Sequence, residues 1–385
     1  MKILMFTWEF PPYKVGGIAS HCYDLSKALV RMGHDVHILT YGDKEEEDYD
    51  AGITIHRVSS TQSAPDIVGW SMYLNQRFEK KAIELNKIER FDVIHIHDWM
   101  AVPAGAGLKK ILKKPLVFTL HSTERGRAGI NTPVSKMIND LEWYGTYEAD
   151  QIITVGKDFC EEVKTIFSVP EEKIHYIPNG VDIKKFDNAK YTTRREWYAG
   201  DWEKMILFVG RLTYQKGVDY LLDAIPKVLN EYRDAKFVFV GDGGGLEHYR
   251  GKAWSLGLKE KTYFTGYVPD DVLISLYKVA DLTIAPSIYE PFGIVALEAA
   301  AANKATVGSY TGGLKETIIN EYTGLHTIPA NSNSIADQLL RVLWDDNWCR
   351  WMGRNGRKMV EKNFKWDRIA RWTTGVYGKA MGLWD

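Results

Sequence analysis

Short apolar runs, each closed by a glycine, a proline or a polar turn and each leading into a helical stretch, recur along this chain, break off, and begin again. KILMFTW (2–8) is followed by a Pro/Gly loop, an amphipathic helix over Ile18–Arg31 and a second run, DVHILT. That is a strand–helix–strand opening. ITIHRV (53–58), DVIHIH (92–97), PLVFTL (115–120), QIITV (151–155) and KIHYI (173–177) continue the series. Runs that are apolar nearly throughout, rather than alternating, belong to parallel strands covered on both faces. The polar stretch DNAKYTTRREWYAGD (187–201) interrupts the pattern, which restarts with MILFVG (205–210), a helix over Val218–Tyr232, KFVFVGDGGG, TYFTGY, DLTIAPS and ATVGS. A chain of 385 residues exceeds one ordinary core, so the restart reads as a second α/β domain with a boundary near residues 185–203.

A formal net charge of −1 argues against a nucleic-acid partner held by a broad basic face. Cys22, Cys160 and Cys349 stand far apart, without CxxC or metal-ligand spacing, which suits free thiols in a reducing compartment. The apolar run before Glu9 is short for a signal peptide, and no stretch reaches the ~18 apolar residues of a membrane span. A cytoplasmic location is expected. The acidic run DKEEEDYD (43–50) reads as a solvated loop, including Asp48-Tyr49-Asp50, which resembles a DxD metal signature only formally. Trp344, Trp348 and Trp351 recur at helical spacing, so core packing is expected of them ahead of carbohydrate stacking. Trp366, Ile369, Thr373 and Val376 mark a stripe on a later helix.

Five segments are candidates for chemistry. In KVGGIASH (14–21), Gly16 and Gly17 stand between a strand and a helix. They serve equally as a tight turn or as an anion cradle at the helix N-terminus. The dinucleotide fingerprint GxGxxG is absent, which lowers a nicotinamide-dehydrogenase reading. In GRLTYQKG (210–217), Arg211 and Lys216 share a loop at the carboxyl end of a strand, where open α/β sheets bind ligands. Two cations there suit a diphosphate, the alternative being a surface arginine and a helix-start lysine. In YEPFGIVALEAAAA (289–302), Glu290 precedes a Pro/Gly helix start and Glu298 sits in an Ala/Val/Leu helix. A carboxylate in that setting needs a partner. A ribose diol and a salt bridge to a nearby Arg or Lys fit Glu298 equally. Finally HIHDWM and FTLHSTERGR bring His97, Asp98 and His121 to strand ends on the rim that carries the glycine loop.

KVGG, HIHDW, the Arg211/Lys216 pair, EPFGIVALE with its E-x7-E spacing, and YTGGLKET together resemble the retaining nucleotide-sugar glycosyltransferases of the GT-B fold. KxGG and TGGL narrow the likeness to bacterial and plant glycogen (starch) synthases. The resemblance spans nearly the whole chain. It implies two Rossmann-like, doubly wound parallel-sheet domains facing across a cleft: an acceptor-side domain over 1–186, with the last helix, 366–385, packing back on it, and a donor-binding domain over 187–365. It further implies that Arg211 and Lys216 neutralise the donor diphosphate, assisted by Lys14 and the amides around Gly16 and Gly17. Glu298 would hold the ribose, and Glu290, with the amides of Phe292 and Gly293, the transferred sugar. Thr311, Gly312 and Gly313 would contact the distal phosphate, and Tyr267 would border the base. His121 would lie beside the sugar, and His97 and Asp98 are acceptor-side candidates.

The reaction implied is transfer of glucose, with retention, from ADP-glucose (preferred) or UDP-glucose to the non-reducing end of an α-1,4-glucan. The alternative is a related retaining transferase with a lipid, small-metabolite or other polysaccharide acceptor. No cofactor and no metal are implied, the nucleotide-sugar being a substrate. Familiar bacterial glucan synthases are longer, so the acceptor is less defined than the donor. A nucleotide-sugar epimerase, a phosphorylase and a non-catalytic sugar-nucleotide binder are the other classes. A phosphorylase needs a pyridoxal lysine and a far longer chain, and the joint presence of Arg211, Lys216, Glu290 and Glu298 argues against lost catalysis. The sequence leaves a homo-oligomer open.

Overall fold

A computed structural model describes residues 1–60 and 63–383. The chain divides into two compact units: unit 1 is Met1–Gly180 with the chain from Trp366 onward, and unit 2 is Val181–Lys365. Residues 181–186 therefore go with the second unit rather than the first. The Val181 amide donates to the Phe364 carbonyl at 2.9 Å, and Phe186 packs edge-on against Tyr277. The final helix runs Trp366–Ala380, and the last two residues of the expected 366–385 segment lie outside the described residues.

Unit 1 holds β1 (Lys2–Phe6), β2 (Asp35–Tyr41), β3 (Glu46–Asp50), β4 (Ile53–Val58), β5 (Val93–His97), β6 (Leu116–Leu120), β7 (Gln151–Thr154) and β8 (Ile174–Tyr176). Their order is β3-β4-β2-β1-β5-β6-β7-β8. Every pairing is parallel except β3 with β4. The acidic run is thus not a loop throughout: Glu46–Asp50 is an antiparallel edge strand with every residue exposed. Its charges leave an edge that repels further pairing. Asp50 accepts the Tyr23 hydroxyl at 2.7 Å and Asp48 accepts its own following amide.

Side chains alternate across β1. Ile3 and Met5 enter a core with Cys22 and Leu25 of helix Gly17–Arg31 and with Ile369 and Tyr377 of the final helix. Phe6 points the other way, onto Phe78 of helix Ile67–Glu89. Both faces are covered, which is why these strands lack polar alternation. The final helix fits closely because Gly180 has no side chain. A Cβ there would lie 2.7 Å from the Trp366 ring.

Unit 2 holds β9 (Lys204–Val209), β10 (Ala235–Val240), β11 (Thr262–Gly266), β12 (Leu282–Ala285), β13 (Thr306–Ser309) and β14 (Gly324–Thr327). They form one parallel sheet in the order β11-β10-β9-β12-β13-β14. In each sheet the chain builds outward on one side and then crosses to the other. The switch falls between β1 and β5 in unit 1 and between β9 and β12 in unit 2. Loops at the carboxyl ends of those strands flank a crevice that suits a ligand.

One packing expectation holds only in part: Trp348 packs half-buried against the core of unit 2, while the other two tryptophans do not. Trp344 is 66 % and Trp351 41 % exposed. The buried stripe of helix Asp346–Asn363 is Cys349, Met352, Met359 and Val360 instead. The Trp366, Ile369, Thr373, Val376 stripe is buried as expected.

Candidate functional site

In unit 2 three loops at strand carboxyl ends interlock. Gly217 closes the loop after β9 at φ +69°, and a Cβ there would come within 1.9 Å of the Pro286 carbonyl oxygen in the loop after β12. The Ile288 amide donates to the Gln215 carbonyl at 2.8 Å, and the Gly313 amide to the Glu290 carbonyl at 2.8 Å. Gly312 passes so near Glu290 that a Cβ would sit 2.1 Å from its carbonyl oxygen. Only glycine permits such approaches. Within this knot Lys216 Nζ meets Glu290 Oε2 at 2.6 Å, and the Ser287 hydroxyl donates to the same oxygen at 2.9 Å. The side chains of Lys216 and Glu290 are 17 % and 12 % exposed. Sequence reasoning sent the lysine toward phosphate and the glutamate toward sugar, and missed that they hold each other.

Arg211 lies exposed in the same loop. Thr311 donates through its hydroxyl to the Ile288 carbonyl at 3.1 Å, whereas Gly312 and Gly313 join the Glu290 loop through backbone. Phe292 turns its ring into the unit, near Phe364, which leaves its backbone as the part a ligand could use. Gly293 caps helix Ile294–Ala301 at φ +89°. Glu298, half-buried on that helix, accepts the hydroxyl of the wholly buried Tyr277 at 2.8 Å. Burial first, then Glu298, pushes the Tyr277 phenol well above its ordinary value. Tyr267, at the end of β11, is 67 % exposed.

In unit 1 the glycine loop is bound from beneath. Glu9 is 2 % exposed, and its Oε2 accepts the amides of Val15 at 2.5 Å and Gly16 at 2.7 Å. Burial raises its pKa, and those bonds oppose the rise. The Gly16 amide is therefore engaged by Glu9. Gly17 opens helix Gly17–Arg31 without a cap from the residue before it, and the Ala19 amide in its first turn also bonds Glu9. Beside them Trp8, Glu9, Tyr13, Lys14, Val15, Tyr41, Ile67 and Trp70 line a cavity of about 390 Å³. Sequence reading missed Glu9 and this cavity, since its residues come from four separate segments.

His121 follows β6. Its amide donates to Asp98 Oδ1 at 2.8 Å, and its Nε2 lies 3.1 Å from His97 Nδ1. His97 is wholly buried and Asp98 is 7 % exposed, and in this structure both contact His121. His21 packs edge-on to His121 and bonds Asn179 at 2.7 Å. His95 bonds Tyr377 and Thr119. Burial holds His21, His95 and His97 well below the ordinary histidine value and brings His121 down to about 3. All four rings are neutral at working pH. His21, His97 and His121 place nitrogens within 4.8 Å of one another. A zinc ion would need them drawn to about 4 Å or less and would compete with the His97–His121 bond.

Nearby, Glu142 is 2 % exposed and accepts the Glu124 amide at 2.8 Å. Burial lifts its carboxyl to about 9, and that of Asp98 to about 6. A raised carboxyl contributes stability at acid pH that is lost as pH rises toward the folded-state value. Glu142→Gln should keep the acceptor oxygen and raise stability at pH 8 by about 1–3 kcal/mol, with little gain at pH 4.5. Urea unfolding at both pH values checks it, and an equal gain at both would refute the protonation argument.

Residues 15–185 match the family described as Glycosyltransferase Family 4, and residues 190–359 the one described as Glycosyl transferases group 1. An uncharacterized glycosyltransferase of Methanocaldococcus jannaschii is 44 % identical over 390 residues, covering 100 % of this chain and 99 % of its own length. Glycogen synthase of Mycobacterium tuberculosis is 30 % identical over 399 residues, covering 98 % of this chain and 94 % of its own. Among solved structures, sucrose-phosphate synthase from Thermosynechococcus elongatus superposes with a TM-score of 0.86 at 22 % identity over 99 % of both chains.

Proposed function

This chain belongs to the glycosyltransferases of the GT-B fold, and from that premise we propose that it transfers glucose, with retention, from a nucleotide-glucose to the non-reducing end of an α-1,4-glucan. ADP-glucose is the preferred donor and UDP-glucose the other candidate. The observation that carries the reading is the knot of three loops in unit 2, which holds Lys216 against Glu290 with Arg211 in the same loop. The likeness to a glycogen synthase supports a glucan acceptor. So does the cavity beside Lys14, whose Trp8, Tyr13, Tyr41 and Trp70 suit stacking against sugar rings.

In the step proposed, the bond from the anomeric carbon to the diphosphate oxygen breaks as charge builds on the leaving group. Arg211 and Lys216 meet that charge, as preorganised cations do most effectively. The acceptor hydroxyl attacks from the same face, and its proton passes to an oxygen of the departing diphosphate. Glu290 holds sugar hydroxyls rather than attacking, unlike the nucleophilic carboxylate of a retaining hydrolase. Glu298, oriented by Tyr277, holds the ribose, and His121 lies beside the sugar. The two cations do the work a divalent metal would do, so no cofactor enters. The three buried, unpaired cysteines suit a reducing, cytoplasmic setting. Among the described residues no helix is long and apolar enough to cross a membrane.

The test offers the purified protein ADP-, UDP- and GDP-glucose with maltooligosaccharides, in EDTA, reading nucleotide release and product anomer together. Release of nucleoside diphosphate with an α-linked, lengthened glucan is expected. An inverted product, a glycosylated Glu290, or activity abolished by EDTA would each overturn a named part of the mechanism.

A further inference from the structure

Ser287, in the loop after β12, has no part in the transfer step as written above, yet its hydroxyl is spent on that step's glutamate. The side chain is 3 % exposed and donates to Glu290 Oε2 at 2.9 Å. Lys216 Nζ reaches the same oxygen at 2.6 Å. A carboxylate oxygen has about two acceptor positions, so these two donors fill Oε2. The acceptor capacity left for a ligand is that of Oε1.

The two donors do different things. An ammonium on a four-carbon stem is a point charge, which attracts a carboxylate without fixing its rotation. The last torsion of a glutamate is broad and roughly two-fold, so a second, directional donor is what sets its plane. Ser287 can serve because its backbone is fixed on both sides. Before it, the Pro286 carbonyl oxygen would lie 1.9 Å from a Cβ on Gly217. After it, the Ile288 amide donates to the Gln215 carbonyl at 2.8 Å and the Ile288 carbonyl accepts the Thr311 hydroxyl at 3.1 Å. The loops after β9 and β13 thus clamp the residues that flank the serine. Burial alone does not ask for this bond. The neighbouring hydroxyls of Thr311 and Thr317 satisfy themselves on backbone carbonyls, of Ile288 and Gly313, whereas that of Ser287 goes to a carboxylate.

We infer that Ser287 is a positioning residue for sugar transfer: it fixes the plane of the Glu290 carboxylate so that Oε1 accepts a hydroxyl of the transferred sugar. The sugar-holding role of Glu290 rests on the proposed function; the bond from Ser287 does not. Alignment of the reacting sugar is sensitive to small displacements, and a hydrogen bond to a charged group is among the stronger ones. Loss of the hydroxyl should therefore lower kcat/KM for the nucleotide-glucose by roughly 10–100-fold. Binding of the free nucleoside diphosphate, which carries no sugar, should stay within twofold.

The test uses the full chain with Ser287→Ala and Ser287→Cys. The thiol keeps the side-chain shape and is a weaker donor, so its kcat/KM should fall between those of the wild type and the alanine variant. It carries the same comparison should the alanine variant unfold. Calorimetric titration with ADP and UDP is paired with kinetics on glucose donors and on their 2-, 3-, 4- and 6-deoxy analogues. On the analogue that costs the wild type most, Ser287→Ala should add less than about threefold, because both changes remove one interaction. Multiplication of the two losses on every analogue would refute the positioning role, as would a variant as active as the wild type. Nucleoside diphosphate binding weakened as much as kcat/KM would also refute it, by showing that the loops had loosened as a whole. A wild type that transfers no sugar from any of these donors would instead overturn the proposed function, and the role of Ser287 with it.

Discussion

Replacement of Lys216 by alanine is expected to lower kcat by roughly 10²–10⁴-fold, with a smaller change in KM for the donor. A cation aimed at a leaving diphosphate matters most when the bond is breaking, so its loss raises the barrier more than it weakens binding. A second consequence follows from the ion pair. Glu290 is 12 % exposed and bonds Lys216 at 2.6 Å. Removing the lysine strands a carboxylate that keeps only the Ser287 hydroxyl among its side-chain partners in these contacts. Stability should fall by about 1–3 kcal/mol, below the cost for a fully buried pair because both groups retain some solvent. Arg211→Ala separates the two effects. It lies exposed in the same loop, so it should reduce kcat by roughly 10²-fold with stability changed by less than about 0.5 kcal/mol. Single-turnover kinetics beside thermal unfolding reads both quantities. Intact turnover in Arg211→Ala would remove its leaving-group role. A Lys216 loss explained wholly by unfolding would remove that of the lysine.

The parallel sheets were legible because their strands are covered on both faces, and continuous apolar runs such as PLVFTL and MILFVG have few other uses. β14, GLHT, escaped because four mixed residues carry no period, and β3 escaped because an exposed edge strand of acidic residues looks like a solvated loop. The glycines of the site were readable as turn-formers. Their reason was not: Gly217, Gly312 and Gly313 are pressed against the backbone of other loops, a fact of tertiary packing. The partners of the carboxylates were hidden for the same cause. Tyr277 lies 21 residues before Glu298, and Glu9 reaches forward to Val15 and Gly16. Composition around a glutamate says that it needs a donor, never which one. The tryptophans show the limit of periodicity: the i, i+4, i+7 spacing spans a helix break, with Trp344 capping helix Ser332–Leu343, and on the next helix Trp348 packs against the core while Trp351 faces outward.

The cluster of histidines in unit 1 leads to the other large expected effect, a steep loss of stability below pH 6.5. His21, His95, His97 and His121 are held neutral by burial, each below its ordinary value. A histidine whose folded-state pKa is depressed binds its proton in the unfolded chain first, so stability falls as pH drops through the unfolded value of about 6.5. Asp98 and Glu142 act in the opposite direction, since the native state holds their protons at pH 5.5 where the unfolded chain has released them. Within this cluster, four groups against two leave a net uptake of about two protons on unfolding near pH 5.5, and thus a loss of about 2–3 kcal/mol per pH unit. Burial also lowers His34, His37, His56, His175 and His326, which adds to the uptake, while the raised Glu9 and Glu79 act against it. Urea midpoints between pH 5 and 7 measure the slope. His97→Asn removes one titrating ring from a wholly buried position, and its slope should be shallower by about one proton, or about 1.4 kcal/mol per pH unit, even though its stability at pH 7 is lower. A wild-type midpoint that stays level between pH 7 and 5 would mean that these rings accept protons in place, and the neutral network around His121 would have to be abandoned.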